Sequence, residues 1–318
     1  MSLSARCLGA PLALLSALAL AAALAGCSQD IETPANRYAV VIGVQDYPPS
    51  NDNVPNNDPS DPDLEYSDDD ANDLADLLAQ KSWTVVSRLI SATSDHVNEA
   101  TYANIRDTIA GLSTLIGSDI NATVLIYYSG HGEESTGKLV PYDALSDNNK
   151  RIAPATLANW LDALPCKNKM LILDSCYSGN FVVAGDSIDA SPQDSNTSSG
   201  TTEDGLLETA VGNLGELIAA SLEESGSPDV LAISAAGSAE FSWDGSAVMS
   251  NGAFTYYLLA AADHGDSNSD GYVTATEAFA YAKSCIKAYW NSVNADYGAA
   301  FLPHLSGGTG DLVLYVNK

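Results

Sequence analysis

Two side chains in this sequence have the types that covalent hydrolysis needs, Cys176 and His131, and they stand 45 residues apart in stretches of similar grammar. Cys176 closes "LILDSC", an apolar run ending in an acid, a hydroxyl and a thiol, and His131 closes "TVLIYYSGH". A cysteine attacks as thiolate, so it needs a neighbour that takes its proton, and His is the usual one. Both runs read as buried strands, and such strands end in polar groups where their ends face a site. Gly132 follows the His, lets the chain turn and leaves an N–H free. With the N–H of Cys176 it would bind the oxyanion of a tetrahedral intermediate. A buried structural Cys and a strand-capping His are the bland alternatives, but together the two read as a nucleophile with its base.

The elements that must position them follow one another regularly. "RYAVVIGVQDY" (37–47) is the first strand, followed by a Pro/Asn/Asp-rich loop (48–70) and a helix over "ANDLADLLAQK". Further strands are expected at 83–90, 123–129, 169–174 and 229–236, with "GDLVLYV" closing the chain. Helical patterns fill 101–116, 154–164, 252–264 and 275–292. Alternating strands and helices predict an α/β protein with one doubly wound sheet, whose sites lie at the C-terminal strand ends. Residues 184–227 interrupt the pattern with a Ser/Thr/Asp/Gly-rich stretch that reads as disordered in its first half.

The motifs "YYSGHG" and "DSCYSG", with "YAVVIGVQDY", "LVPYDA" and "NGAFTYYLL" around them, resemble the caspase-like cysteine peptidases, metacaspases and their bacterial relatives in particular. The resemblance spans roughly 37–316. It implies a mainly parallel six-stranded sheet between helices, a Cys/His dyad and endopeptidase activity.

The residues around the nucleophile narrow the substrate. Caspases proper place Gln-Ala before the Cys and ring an acidic P1 side chain with arginines. Here the pair is Asp174-Ser175, and beyond Arg6 the chain has four arginines, Arg37, Arg88, Arg106 and Arg151. Asp174 would repel a P1 carboxylate and attract Arg or Lys. The metacaspase pattern implies further pocket residues matching Ser129 and an acid of "DDD", Asp70, with Asp69 or Asp68 open as alternatives. A solvated helix N-terminus reads "DDD" equally well. Between Lys169 and Lys283 there is no Lys or Arg, so an enzyme of basic P1 preference would not cut itself within 184–227. If it cut itself at all, the dibasic "NNKRIA" would be the accessible place.

"DSNSDGYVTATE" (266–277) satisfies the EF-hand loop pattern: side-chain oxygens at Asp266, Asn268 and Asp270, a Gly bend, the Tyr272 carbonyl, Thr274, and Glu277 to close the site. A structural Ca²⁺ is expected there, with Val273 as the apolar pairing position. His96, His264 and His304 are scattered, so no zinc site is argued. Trp243 reads as loop packing or a substrate subsite, and Cys166 and Cys285 as a pair only if the fold brings them together.

Residues 1–26 read as a secretory signal peptide, an apolar run whose "LAGC" end resembles the bacterial lipobox, with Cys27 as the lipidated residue and 27–36 as a tether; an uncleaved N-terminal anchor is the alternative. By resemblance to known lipoprotein sorting rules, Ser28 after the Cys implies an outer membrane. The 13 Lys+Arg against 41 Asp+Glu give a net charge of −28, which repels nucleic acid and attracts cations and basic peptide segments. The expectation is a lipid-anchored, extracytoplasmic cysteine endopeptidase of basic P1 preference. The alternatives are an Asn or Asp preference, or a catalytically silent Ca²⁺-stabilised binding module of the same fold.

Overall fold

Aliphatic runs at β-branched positions pair in parallel: β1 (Arg37–Gly43), β2 (Thr84–Leu89), β3 (Thr123–Ser129), β4 (Asn168–Asp174) and β5 (Val230–Ser234). The computed structural model describes residues 36–48, 63–91, 98–133, 136–145, 147–175, 230–236, 242, 243, 245, 249–294, 300–308 and 311–318. All fall in one unit, Pro34–Lys318. Two short strands follow: β6 (Tyr272–Thr274) lies outside the main sheet, and β7 (His304–Gly307) completes it antiparallel to β5, in the order β2-β1-β3-β4-β5-β7.

Side chains alternate across this sheet into two cores. Ala39, Val41, Leu125, Tyr127, Met170 and Ile172 enter one; Val40, Ile42, Val124, Ile126, Tyr128 and Leu173 enter the other. The first face is covered by α1 (Ser67–Gln80), through Leu74 and Leu78, and by two later helices. Those are α4 (Ala253–His264) and α5 (Ala275–Cys285). The second face is covered by α2 (Tyr102–Ile116) and α3 (Pro154–Asp162), through Ile105, Ile109, Leu157 and Leu161. Leu74 is fully buried, so Leu74→Ala would cost about 2–5 kcal/mol.

Two expectations need correction. "GDLVLYV" is not the last strand of the main sheet. It forms β8 (Val313–Val316), which pairs with β6 in a separate two-stranded sheet. The Arg37 guanidinium donates to the Val313 and Leu314 carbonyls at 2.7 and 2.8 Å, and Trp83 Nε1 donates to Leu314 at 2.7 Å. Those three bonds hold the strand beside the sheet's N-terminal edge. The sixth position goes instead to polar "HLSG", an edge strand with a single ladder to satisfy, where propensity counts little. The helix expected over 275–292 forms but is not α-helical throughout: a π-helical turn at Ile286–Trp290 joins two α-helical stretches. Cys166 is a free, buried thiol and so does not pair with Cys285.

Candidate active site

The parallel register sets the strand ends in one row. Gly43 pairs with Ser129, and Ser129 pairs with Asp174. His131 lies two residues beyond Ser129. Cys176, two residues beyond Asp174, lies outside the described residues, as do Cys27 and the 184–227 segment.

His131 is buried and held by two tyrosines. Its backbone N–H donates to Tyr47 Oη at 2.9 Å, and its carbonyl accepts from Tyr128 Oη at 3.0 Å. The rings of Tyr47 and His131 lie 4.8 Å apart, tilted by 34°. Both hydroxyls also reach the Val140 carbonyl, at 3.1 and 2.9 Å. Burial raises both phenols, so each stays a neutral donor. A tight approach falls at Gly130: its φ is 154°, and a Cβ there would stand 2.7 Å from Tyr128 Oη.

Gly132 faces Leu139 in a small antiparallel ladder. Its flanking bonds are Val140 N to His131 O at 3.1 Å and Glu133 N to Lys138 O at 2.9 Å. That pattern makes Gly132–Leu139 a non-hydrogen-bonded pair, whose N–H groups point away from each other. The Gly132 N–H is thereby turned away from Leu139.

The second part of the site is acidic. Asp70 is 1% exposed and accepts from Ser129 Oγ and from the Gly252 N–H, both at 2.8 Å. Asp174, 5% exposed, accepts from Ser242 Oγ, from Thr255 N at 3.2 Å and from Thr255 Oγ1 at 2.6 Å. Gly252 caps α4, so both carboxylates meet the positive end of that helix, which favours anions. A methyl built on Gly252 would come within 2.9 Å of Asp70 Oδ2 and 2.9 Å of Asp174 Oδ2. The two oxygens therefore lie no more than 2.9 + 2.9 = 5.8 Å apart. Burial pushes the Asp174 carboxyl up, while its donors from Ser242 and Thr255 pull it down. Among the described residues no cation pairs with Asp174.

The ambiguity in "DDD" resolves through helix phase. The helix starts at Ser67, earlier than expected, and its 100° step sends the three acids in different directions. Asp68 turns to the β1 and β2 ends, accepting from Gln45 N at 3.2 Å and Ser91 Oγ at 2.9 Å. Asp69 is exposed, and Asp70 joins Ser129.

The four arginines are committed elsewhere. Arg37 holds the C-terminal strand, Arg88 pairs with Asp76, Arg106 with Asp107, and Arg151 with the buried Glu133. The last of these corrects the expectation for "NNKRIA": Arg151 is 8% exposed, and Lys150 pairs with Asp143 at 2.9 Å. A cut after Arg151 would require extracting a buried ion pair.

The 266–277 loop has the bends an EF-hand loop needs, with Ser269 and Gly271 at φ 60° and 88°. Asp266 accepts from the Asp270 and Gly271 amides at 3.1 and 3.0 Å, and Asp270 accepts from Tyr272 N at 2.8 Å. Glu277 folds across the loop, with Ser267 Oγ on one oxygen at 2.7 Å and Thr274 Oγ1 on the other at 3.1 Å. Val273 is fully buried and pairs with Tyr315 in β8. The donor set is all oxygen, which suits a hard cation. No three His, Cys, Asp or Glu side chains among the described residues gather around a common point; the loop acids accept from backbone amides and hydroxyls instead. His264 ends α4, where the helix C-terminus favours it, with its ring 6.1 Å from Tyr281.

Sequence reasoning missed Tyr47, Tyr128, Tyr127, Ser242, Gly252 and Thr255. A usable signal existed for the tyrosines: "TVLIYYS" carries two phenols in a buried strand, and buried phenols need partners. Trp243 packs half-buried against the α1/α4 core, and its carbonyl accepts from Ala253 N at 2.9 Å.

Comparison with known proteins places this geometry. The family model described as Caspase domain matches residues 36–294. The crystal structure of caspase-1 from Spodoptera frugiperda superposes with a TM-score of 0.53 at 13% identity, covering 91% of this chain and 93% of that one. A second structure, described as pro-sf-caspase-1, gives 0.52 at 13% identity over 90% and 92%. At that identity the likeness is one of fold. No curated protein sequence matches this chain.

Proposed function

The chain belongs to the caspase-domain family of cysteine peptidases, and we propose that it is a metacaspase-type endopeptidase that cleaves protein substrates after Arg or Lys. One observation carries the specificity: two buried carboxylates, Asp70 and Asp174, converge on Gly252 in the row of strand ends that leads to His131 and Cys176. Burying two anions side by side is costly for stability alone, whereas a guanidinium between them would satisfy both. That all four arginines have other partners speaks against a pocket for an acidic side chain.

In the mechanism, His131 takes the Cys176 thiol proton and the thiolate attacks the scissile carbonyl. The Gly132 and Cys176 N–H groups receive the oxyanion. His131 returns the proton to the leaving amine, and the thioester that remains is hydrolysed by water activated by the same imidazole. Tyr47 and Tyr128 hold the His131 backbone in place by hydrogen bonds to its N–H and carbonyl.

The same reading includes a Ca²⁺ held by Asp266, Asn268, Asp270, the Tyr272 carbonyl, Thr274 and Glu277, bracing the turn between α4 and α5. It also includes removal of residues 1–26 and lipid attachment at Cys27, which would tether the enzyme to an outer membrane. The test is an assay of matched fluorogenic peptides with Arg, Lys, Asn or Asp at P1, with Ca²⁺ and with chelator, beside Cys176→Ala. Turnover only after Arg or Lys, lost in the variant, is expected. Turnover after Asn or Asp would discard the pocket and keep the enzyme. No turnover on any peptide, with Ca²⁺ bound, would favour the binding-module reading.

A further inference from the structure

Thr255 stands at the third residue of α4, fully buried, with its side chain turned away from its own helix and onto Asp174. Its one hydroxyl proton goes to Asp174 Oδ2 at 2.6 Å. The 2.6 Å contact between Thr255 Oγ1 and Tyr127 Oη must then have Tyr127 as donor. Burial, Asp70 and Asp174 all keep the Tyr127 phenol protonated. A one-way chain results, Tyr127 to Thr255 to Asp174, joined at the carboxylate by the Thr255 N–H. Such a chain strengthens its last bond, because each donor polarises the next.

The neighbouring acid explains why this support is needed. Asp70 and Asp174 oxygens no more than 2.9 + 2.9 = 5.8 Å apart repel each other, and a closely spaced pair tends to take up a proton. A protonated Asp174 would halve the negative charge offered to a substrate side chain. Donors aimed at Asp174, two on Oδ2 from Thr255 and one on Oδ1 from Ser242, oppose that protonation.

On the basic-P1 reading, we propose that Thr255, backed by Tyr127, is a specificity-determining positioning residue that keeps Asp174 an anion aimed at the Gly252 gap, so that the pocket accepts a cationic side chain. Gly252 supplies the clearance, since any side chain there would fill the space between the carboxylates.

The experiment compares Thr255→Val, Thr255→Ser and Asp174→Asn in the full chain, with an Arg-P1 peptide across pH. Valine keeps the shape and the backbone N–H but removes the hydroxyl. The expected result is a KM raised about tenfold at unchanged kcat, with the acid limb of kcat/KM moved to higher pH. Thr255→Ser restores both, and alkylation of Cys176 by iodoacetamide, which has no P1 group, proceeds at the wild-type rate. Tyr127→Phe shifts the limb in the same direction by less. If Thr255→Val keeps the wild-type KM and limb while Asp174→Asn loses Arg cleavage, the relay is wrong and the basic pocket stands. If Asp174→Asn also cleaves normally, both fall. Equal losses of peptide turnover and iodoacetamide labelling in Thr255→Val would make Thr255 a merely structural residue and overturn the proposal.

Discussion

The two ends of α4 both collect acids, and they treat them in opposite ways. At the N-terminus, Asp70 and Asp174 are buried, face the positive end of the helix and accept from hydroxyls on other elements, Ser129 at the end of β3 and Thr255 in α4. At the C-terminus, Asp266, Asp270 and Glu277 are partly exposed and accept from amides and hydroxyls of their own loop. Asp266 also follows the negative end of α4, where the dipole disfavours an anion. On the proposed function, the first end is a recess that long-range contacts assemble for a cationic side chain, and the second is a local turn whose charge calls for a bound cation. On that reading one helix joins a specificity element to a stability element.

The largest effect expected from this contrast is on activity at the recess. Asp174→Asn should lower kcat/KM for an Arg peptide about 10²–10³-fold, as when one partner of a buried charge pair is lost. Asp266→Asn should leave P1 preference as it is. Parallel peptide kinetics would check both, and a P1 change in the loop variant would erase the distinction.

Next in size is the thermal effect of the loop. Ca²⁺ at about a hundred times its Kd should stabilise by about 2.7 kcal/mol, raising Tm by about 5–10 °C. Glu277→Gln should remove most of that rise. Calorimetry with Ca²⁺ and with chelator measures it, and an equal rise in the variant would exclude the loop as the site.

The recess should show the reverse relation between stability and function. Burial raises the Asp174 carboxyl in the folded state, so the native protein binds the proton more readily than the unfolded chain. That contribution to stability is fully present below the unfolded value, about 3.9, and is lost as pH rises through the raised folded value. Asp174→Asn should therefore increase the urea midpoint near pH 7 and lose that advantage toward about pH 3. Activity on Arg peptides should run the other way, with KM rising as pH falls and Asp174 takes up a proton. A urea midpoint insensitive to pH in both proteins would argue that Asp174 titrates as an exposed carboxylate does.

The smallest effect is at the chain terminus. Lys318 Nζ sits 3.8 Å above the Tyr272 ring, an exposed cation–π contact of about 0.5–1 kcal/mol. Lys318→Ala should lower Tm by only about 1–4 °C, without any change in P1 preference.

Much of the fold was legible in the chain. The five parallel strands, the amphipathic helices and the EF-hand spacing are all encoded within a few residues, where periodicity and motif operate. The sixth strand was not: "HLSG" has no strand signature, while "GDLVLYV" has one and pairs elsewhere. Arg37 decides that outcome from 276 residues away, through its bond to Val313. The site divides the same way. His131 and Cys176 stand out because their chemistry is rare at strand ends, and Asp174 because it lies two residues before Cys176. Thr255, Ser242 and Gly252 carry no local mark, since each acts on a carboxylate from a distant segment.

By itself, then, the sequence determined which residues carry reactive groups and which runs become strands, because both depend on side-chain type and short-range period. Only the tertiary structure chose Asp70 over Asp68 and Asp69, brought Gly252 within hydrogen-bond reach of an acid 182 residues away, and set Tyr47 against His131. The physical reason is the sheet register together with the phase of α1. They fix which side chains share a face and which ends align, and neither is written in any single segment.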